Sequence, residues 1–234
     1  MKPDDGMGPE WARVLEVLSR IIPDYDRMNR SISLGRVERL REEGVRRGVG
    51  VDSVILDAGC GPGNMSETVC RVIGRVRTLV LLDPLAGMLH AARKRLRHDD
   101  AHLVLGVFEG LPFRVGAFDA VLCGYSLRDA RVLSRALAEI HRVLREGGRL
   151  VDVDLGKPDN VILRALVAVY WRLLVPIMAI LKMGRRGMLY TALYRTYIRY
   201  PTNGRLKGRL ESIFRQVVMS QQLLGGSVII IAVK

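Results

Sequence analysis

Cysteine is scarce in this chain of 234 residues. The three present, Cys60, Cys70 and Cys123, form no CxxC pair and have no histidine at ligand spacing, which excludes a disulfide framework and a structural zinc site. A reducing cytoplasm is the expected compartment. Low-complexity tracts and internal repeats are also missing. With 49% hydrophobic and 26% charged residues, the chain reads as one soluble folded domain and not as a disordered one. No signal peptide is expected, because Met1–Gly8 is polar and acidic where a leader is basic and then apolar. Amides are few as well: Asn and Gln together number seven, and arginine supplies 31 of the 37 basic residues. Scarce amides point to a heat-adapted source, although across proteomes that trend is carried mainly by Lys and Glu.

The most informative shortage is of acid in one segment. Residues 1–154 carry 24 basic and 22 acidic side chains, whereas residues 155–210 carry 11 basic side chains and the single acid Asp159. The net charge of +13 therefore belongs to one late segment, interleaved with aliphatic residues. It does not form a nucleic-acid footprint spread over the chain.

Residues 9–20 place apolar side chains at helical spacing behind Pro9, an amphipathic helix. The stretch Ile21–Gly35, broken by Pro23 and Asn29, reads as an ordered loop, followed by a charged helix over about 36–47. Five compact apolar runs then appear at 53–59, 78–83, 102–107, 118–124 and 148–156, the mark of strands buried on both faces. Helical stretches at 64–73, 85–97 and 130–145 separate them. This alternation predicts an α/β fold, a doubly wound and mostly parallel sheet with right-handed crossovers. Residues 160–200 read as two or three helices inserted before the end. The tail offers two β runs around Gly225-Gly226, a hairpin at the sheet edge. The expected organisation is one domain: a helical cap (1–47), a core (48–156), a basic apolar helical region (157–210) and a strand hairpin (211–234).

The densest chemical signal is LDAGCGPGN at 56–64. Glycines between a strand and a helix permit positive φ and close approach of a ligand. Asp83, twenty residues past Gly63 at the end of the second strand, stands where an acid takes both hydroxyls of a ribose. GxGxG after an Asp-ended strand, with a second acid ending the next strand, resembles the class I S-adenosylmethionine-dependent methyltransferases. That resemblance implies a seven-stranded Rossmann-like sheet whose last hairpin holds one antiparallel strand, and S-adenosyl-L-methionine as cofactor.

Further segments sharpen it. YDRMNRSISLG (25–35), FEGLPF (108–113), SLRDARVLSRALAEIHRVLREGGRL (126–150), GKP (156–158) and RYP (199–201) together resemble the C-methyltransferases of menaquinone and ubiquinone biosynthesis. Tyr25, Asp26, Met28, Asn29, Ser33 and Gly35 stand in register with that family's YDxMNxxxSxG pattern, and Leu127-Arg128-Asp129 with its LRN. The correspondence runs from about Pro23 to the C-terminus. Departures occur at Asp129, where the family has Asn; at Leu40, where it has Trp; at Val107-Phe108, where it has an acidic or amide residue followed by Ala; and at Pro62, in place of a threonine. The resemblance implies cofactor contacts from Asp57, Gly59, Cys60, Gly61, Gly63, Asp83, Pro84, Val107, Phe108 and Gly124. Asp57 would serve the methionine amino group, directly or through the loop, and Cys60 would pack as a small filler. No metal is expected.

Under this reading the acceptor is a prenylated quinol, demethylmenaquinone-like. Arg128 would stabilise its ionised oxygen, and Asp129 or Tyr25 would hold the water or base that removes the ring proton. Cys123 has no base beside it in sequence, and His90, His98, His102 and His141 read as surface or capping residues. Residues 161–181 are apolar except for Arg164 and Arg172. Two arginines near mid-bilayer at roughly 2.5–3.5 kcal/mol each, with Pro176 between the ends, disfavour a spanning helix. An interfacial position or a roof over a pocket fits better. Arg185, Arg186, Arg195, Arg199, Arg205, Lys207 and Arg209 would then meet anionic headgroups. The expected location is cytoplasmic, peripheral at the inner face of the membrane. No nucleic-acid partner is expected, and the sequence leaves open whether the chain forms a homodimer. Competing readings are a methyltransferase for another lipid or small molecule, an RNA methyltransferase, and a cofactor-binding protein without turnover.

Overall fold

A computed structural model describes residues 5–33, 35–96 and 101–234. Its centre is a seven-stranded sheet built from β1 (Val54–Ala58), β2 (Thr78–Asp83), β3 (Ala101–Leu105), β4 (Phe118–Gly124), β5 (Leu144–Leu155), β6 (Gln216–Gln222) and β7 (Ser227–Val233), in the order β3-β2-β1-β4-β5-β7-β6. The pairs β2–β3, β1–β2, β1–β4 and β4–β5 are parallel, whereas β7 runs antiparallel to both β5 and β6. The central strands are continuous apolar runs because both sheet faces are covered there, whereas the edge strand β6 has no buried residue. On one face α3 (Val37–Gly48), α4 (Asn64–Val72) and α5 (Ala86–Leu96) pack on Ile55, Leu81, Leu122 and Val153. On the other, α6 (Leu133–Val143) and α10 (Asn203–Glu211) pack on Leu56, Val121, Leu150 and Ile230. The doubly wound architecture expected from the strand rhythm is therefore present, with the tail hairpin at the sheet edge.

A third apolar cluster lies beyond the carboxyl end of β5. It joins α1 (Trp11–Ile21) and α2 (Tyr25–Ile32) to α7 (Val161–Val169), α8 (Val175–Met183) and α9 (Thr191–Arg199) through Ile21, Met28, Trp171, Val175, Tyr190 and Tyr197. Here the structure corrects the reading of Ile21–Gly35 as a loop. Pro23 sits in the first turn of a short 3-10 segment, Ile22–Asp24, which runs into α2; proline at a helix start is favourable because its missing N–H has no partner there anyway. Met28 and Ile32, four apart, turn to the same side and are buried. Strand β5 also begins earlier than the sequence indicates, since Leu144 already pairs with Phe118 across a register irregularity.

Helix α3 approaches the sheet through glycines four apart. A Cβ at Gly44 would lie 2.7 Å from Val153 Cγ2, and one at Gly48 only 2.2 Å from Val151 Cγ2. Valine is stiff at χ1, so the helix must rise. Gly48→Ala is expected to destabilise the protein by about 1–3 kcal/mol, the cost of overpacking a filled core, read as a lower urea midpoint at unchanged slope.

Candidate active site

The chain leaves β1 at Asp57 and turns through Gly59 (φ +65°), Gly61 (φ +53°) and Gly63 (φ +86°) into α4. At Gly59 a Cβ would stand 2.6 Å from Ser126 Cβ and 3.1 Å from Phe108 Cζ, whereas at Gly61 it would meet nothing within 4 Å. Glycine is required at the first by crowding, and the second leaves open space beside the loop. Asp83, buried at the end of β2, is fixed by two backbone donors: the Gly61 N–H reaches Oδ2 and the Leu85 N–H reaches Oδ1, both at 2.9 Å. The carboxylate thus keeps spare lone pairs on both oxygens at the mouth of the loop.

Two cavities open at this carboxyl end of the sheet. The first, of about 60 Å³, is lined by Gly59, Gly61, Asp83, Pro84, Val107 and Phe108, together with Tyr25 and Asp129, under Trp11, Leu15 and Leu18 of α1. Ligand pockets typically measure roughly 300–1,000 Å³, so the first cavity as it stands is small for a nucleoside. The second cavity, of about 250 Å³, is apolar: Ile32, Leu155, Leu163, Leu166, Tyr170, Trp171, Leu223 and Leu224 form most of it, with Arg128 and Asn29 as polar groups. Tyr125 lines both.

Tyr125 follows β4 with a left-handed backbone (φ +60°), a conformation that costs a non-glycine residue energy. Its ring lies between two guanidinium groups, Arg41 at 5.4 Å and Arg128 at 5.8 Å from the centroid. Its buried hydroxyl has no hydrogen-bond partner among the described residues. Arg128 itself is buried and donates to Asp154 Oδ1 at 2.5 Å, with Asp129 Oδ1 3.7 Å from its Nε. The same Asp154 accepts from the Arg128 and Leu155 backbone N–H groups, so the turn after β4 is pinned to the end of β5.

Burial sets the titration of this region. It raises the carboxyls of Asp57, Asp83 and Asp129 to about 6; the Ser66 hydrogen bonds and the Arg128 charge oppose it at Asp57 and Asp129 respectively, and backbone donors do so at Asp83. Burial likewise pushes the phenols of Tyr25 and Tyr125 up, against the pull of Arg128 and Arg41. The thiols of Cys60 and Cys123 are driven well up by burial and by neighbouring aspartates, which leaves both without thiolate character.

Of the other residues singled out from the sequence, four line neither cavity. Asp57 accepts from the Ser66 N–H and Oγ at 3.0 and 2.6 Å, stapling the first turn of α4 and so the glycine loop. The Cys60 N–H bonds the Leu82 carbonyl at 3.0 Å. Gly63 lets the loop pass Ala92, and Gly124 makes room for Met65. The YDRMN segment clamps the cap to the loop: Asn64 donates to Asp26 at 2.8 Å, and Arg95 bridges Asp26 and the Pro62 carbonyl. His141 packs edge-on to Phe214 on the far face, and His98 lies outside the described residues. No cluster of metal-ligating side chains occurs among the described residues. Sequence reasoning missed Tyr125, Arg41 and Asp154. Tyr125 is signalled by its place at a strand's carboxyl end; Arg41 and Asp154 carry no local signal.

The donor set fits S-adenosylmethionine. A buried acid held by two backbone donors can take both hydroxyls of a ribose, open space stands beside Gly61, and apolar walls at Val107 and Phe108 suit a purine. The sequence profile described as the ubiE/COQ5 methyltransferase family matches residues 7–234. A demethylmenaquinone methyltransferase of Symbiobacterium thermophilum is 31% identical, over 87% of this chain and 83% of its own. A ubiquinone/menaquinone biosynthesis C-methyltransferase of Hahella chejuensis is 31% identical over 86% and 82%. Among solved structures, the YcgJ protein of Bacillus subtilis shares the fold, with a TM-score of 0.62, 15% identity and coverage of 84% of this chain and 98% of that one. Replacing Asp83 by Ala removes two charge-assisted hydrogen bonds of about 1.5–3 kcal/mol each at most. Isothermal titration is expected to show S-adenosylmethionine binding weakened by roughly 10²-fold or more.

Proposed function

The chain belongs to the ubiE/COQ5 methyltransferase family, and we propose that within it this protein methylates a ring carbon of a demethylated isoprenoid quinol of the demethylmenaquinone type. One observation carries the reading: a cavity holding an acid suited to a ribose and a larger cavity of mainly aliphatic lining suited to an acceptor meet at Tyr125. The names of the similar proteins support the choice of ring, and the aliphatic lining of the second cavity suits a prenyl tail.

When bound, S-adenosylmethionine supplies an electrophilic methyl on a cationic sulfur that departs as a neutral thioether. The chain's task is to hold the acceptor carbon in line and to keep water out. Trp11, Leu15 and Leu18 above the first cavity and Trp171 and Tyr170 beside the second exclude solvent. Arg128, whose guanidinium is already fixed by Asp154, lies beside the quinol oxygen and favours its ionised form, which makes the neighbouring ring carbon nucleophilic. After the carbon–carbon bond forms, the hydrogen on that carbon must leave as a proton to restore the aromatic ring. Asp129 is the acceptor for it: its Oδ1 has no hydrogen-bond partner among the described residues, and Tyr25 shares the same cavity wall. The enzyme works from the cytoplasm on an acceptor borne by the membrane.

Methyl-labelled S-adenosylmethionine and chemically reduced demethylmenaquinone test the reading directly. Label is expected in the organic fraction with the mass of one added methyl; label found only in RNA or in water-soluble metabolites of a host extract would discard the quinol. Arg128→Lys keeps the charge but loses the fork held by Asp154, and is expected to lower transfer by about 10²-fold while leaving cofactor affinity within a factor of about two. A base must be ionised, and burial raises Asp129 to about 6. At saturating S-adenosylmethionine the kcat/KM profile for the acceptor should therefore climb through pH 6 to a plateau above it, and Asp129→Asn should remove the part of that limb that Asp83, also raised to about 6, does not supply.

A further inference from the structure

Helices α7 and α8 and the π-helical turn between them (Tyr170–Leu174) form a continuous arm over Val161–Met183. One side of the arm is anchored, since Trp171, Val175 and Ala179 are buried in the cap cluster against Ile21 and Met28. The other side is an uncovered aliphatic stripe of Ile162, Leu166, Val169, Leu173, Ile177 and Leu181, reaching 72% exposure at Ile162 and 80% at Leu181. Spacings of three and four residues keep these side chains on one face. Patches of this kind on a soluble surface mark an interaction site.

Charge identifies the partner. No Asp or Glu occurs between Asn160 and Leu210, and the exposed cations Arg172, Lys182 and Arg185 lie on the arm and just past its end, Arg172 over the Tyr194 ring at 6.0 Å and Lys182 donating to Ser31. Other cations of the segment are placed elsewhere: Arg164 donates to the Pro158 and Asp159 carbonyls, Arg195 and Arg199 pair with Glu10 at 2.9 and 2.8 Å, and Arg186 lies 3.6 Å from Asp24. Arg205, Lys207 and Arg209 ride on α10, which packs on the α6 face of the sheet. An exposed aliphatic face on a segment that has no acid and several exposed cations matches the interfacial layer of an anionic bilayer. Continuity with the second cavity adds to this, because Leu166 of the stripe and Leu224 of the tail hairpin are exposed and also line that cavity.

By length and composition Val161–Tyr190 would suffice to cross a membrane, and only 17% of its most apolar stretch is buried, but its packing on the cap is not that of a span. The chain turns back at Gly184 (φ +58°), and Gly187 sits so close to α8 that a Cβ there would lie 2.3 Å from the Ala179 carbonyl carbon. A helix with one face bonded into the domain cannot be surrounded by lipid. We propose that the arm is a bilayer-docking surface: the stripe from Ile162 to Leu181 lies in the interfacial layer of an anionic membrane, and the mouth at Leu166 and Leu224 faces the lipid. The docking stands on the arm alone; only the passage of a prenyl tail through that mouth rests on the acceptor proposed above.

Flotation of the full chain with vesicles of phosphatidylcholine and phosphatidylglycerol, and of phosphatidylcholine alone, tests it. The test variant is Leu173→Glu/Leu181→Glu, since neither residue lines a cavity, with S-adenosylmethionine binding and circular dichroism as folding controls. The wild type is expected to float, more with anionic vesicles than with neutral ones, and the variant to lose roughly tenfold or more in partitioning. Its kcat/KM should fall in parallel for a vesicle-borne acceptor and stay unchanged for a short-tailed one in solution. Equal flotation of variant and wild type would overturn the proposal. So would a wild type that stays unbound, or a stripe that instead holds a second copy, seen as a dimer in sedimentation that the variant dissociates. Vesicle binding without methylation of any quinol would leave the docking standing and remove the acceptor; methylation from detergent without flotation would do the reverse.

Discussion

The buried ion pair between Arg128 and Asp154 holds the site together. Its two partners come from different strands: Arg128 from the turn that leaves β4, Asp154 from the end of β5. Taking two charges out of water is costly, and their attraction repays it only when the geometry is good and the spare lone pairs are used. Here they are used, because Asp154 also accepts the backbone N–H groups of Arg128 and Leu155. Removing one partner alone would strand the other, at about 3–5 kcal/mol. The pair also sets the ring of Tyr125, which stacks on the same guanidinium, and through it the wall between the two cavities.

The late basic segment has a structural role beside any surface one. Glu10 receives Arg195 and Arg199 across 185 and 189 residues of sequence, and Lys182 and Tyr170 bond Ser31 and the Ile32 carbonyl. These contacts tie the N-terminal cap to the arm, so the cap that roofs the first cavity and the arm that walls the second are a single layer. Exposed ion pairs contribute little individually; the buried aromatic cluster of Trp171, Tyr190 and Tyr197 supplies most of the cohesion by area.

Chemistry is divided by position along the sheet. Asp83, at the end of β2, and the glycine loop after β1 line the first cavity; Arg128, after β4, lines the second. Asp129, next in sequence to Arg128, turns back to the first cavity. Adjacent residues in a tight turn point apart, which lets three residues, Tyr125, Arg128 and Asp129, address both ligands.

The sequence by itself determined the sheet, its doubly wound class, the glycine loop with Asp83, and the family. Those are local quantities: continuous apolar runs, turn residues and motifs read within about ten positions, each strong enough that no tertiary contact overrides it. It did not reveal α2, because Pro23 and Asn29 look like breakers until Met28 and Ile32 have a cluster to be buried in. Nor did it separate Asp57, which braces α4 through Ser66, from residues that line a cavity. Arg41, Asp154 and the Glu10 pairs were invisible for a similar reason, since a charge on one element finds its partner only when strand order brings distant elements together. Tertiary structure alone decided which of the late arginines are paired and which are exposed, and that the apolar arm is bound along one face. Periodicity states that a helix has a greasy side, and only packing states what, if anything, covers it.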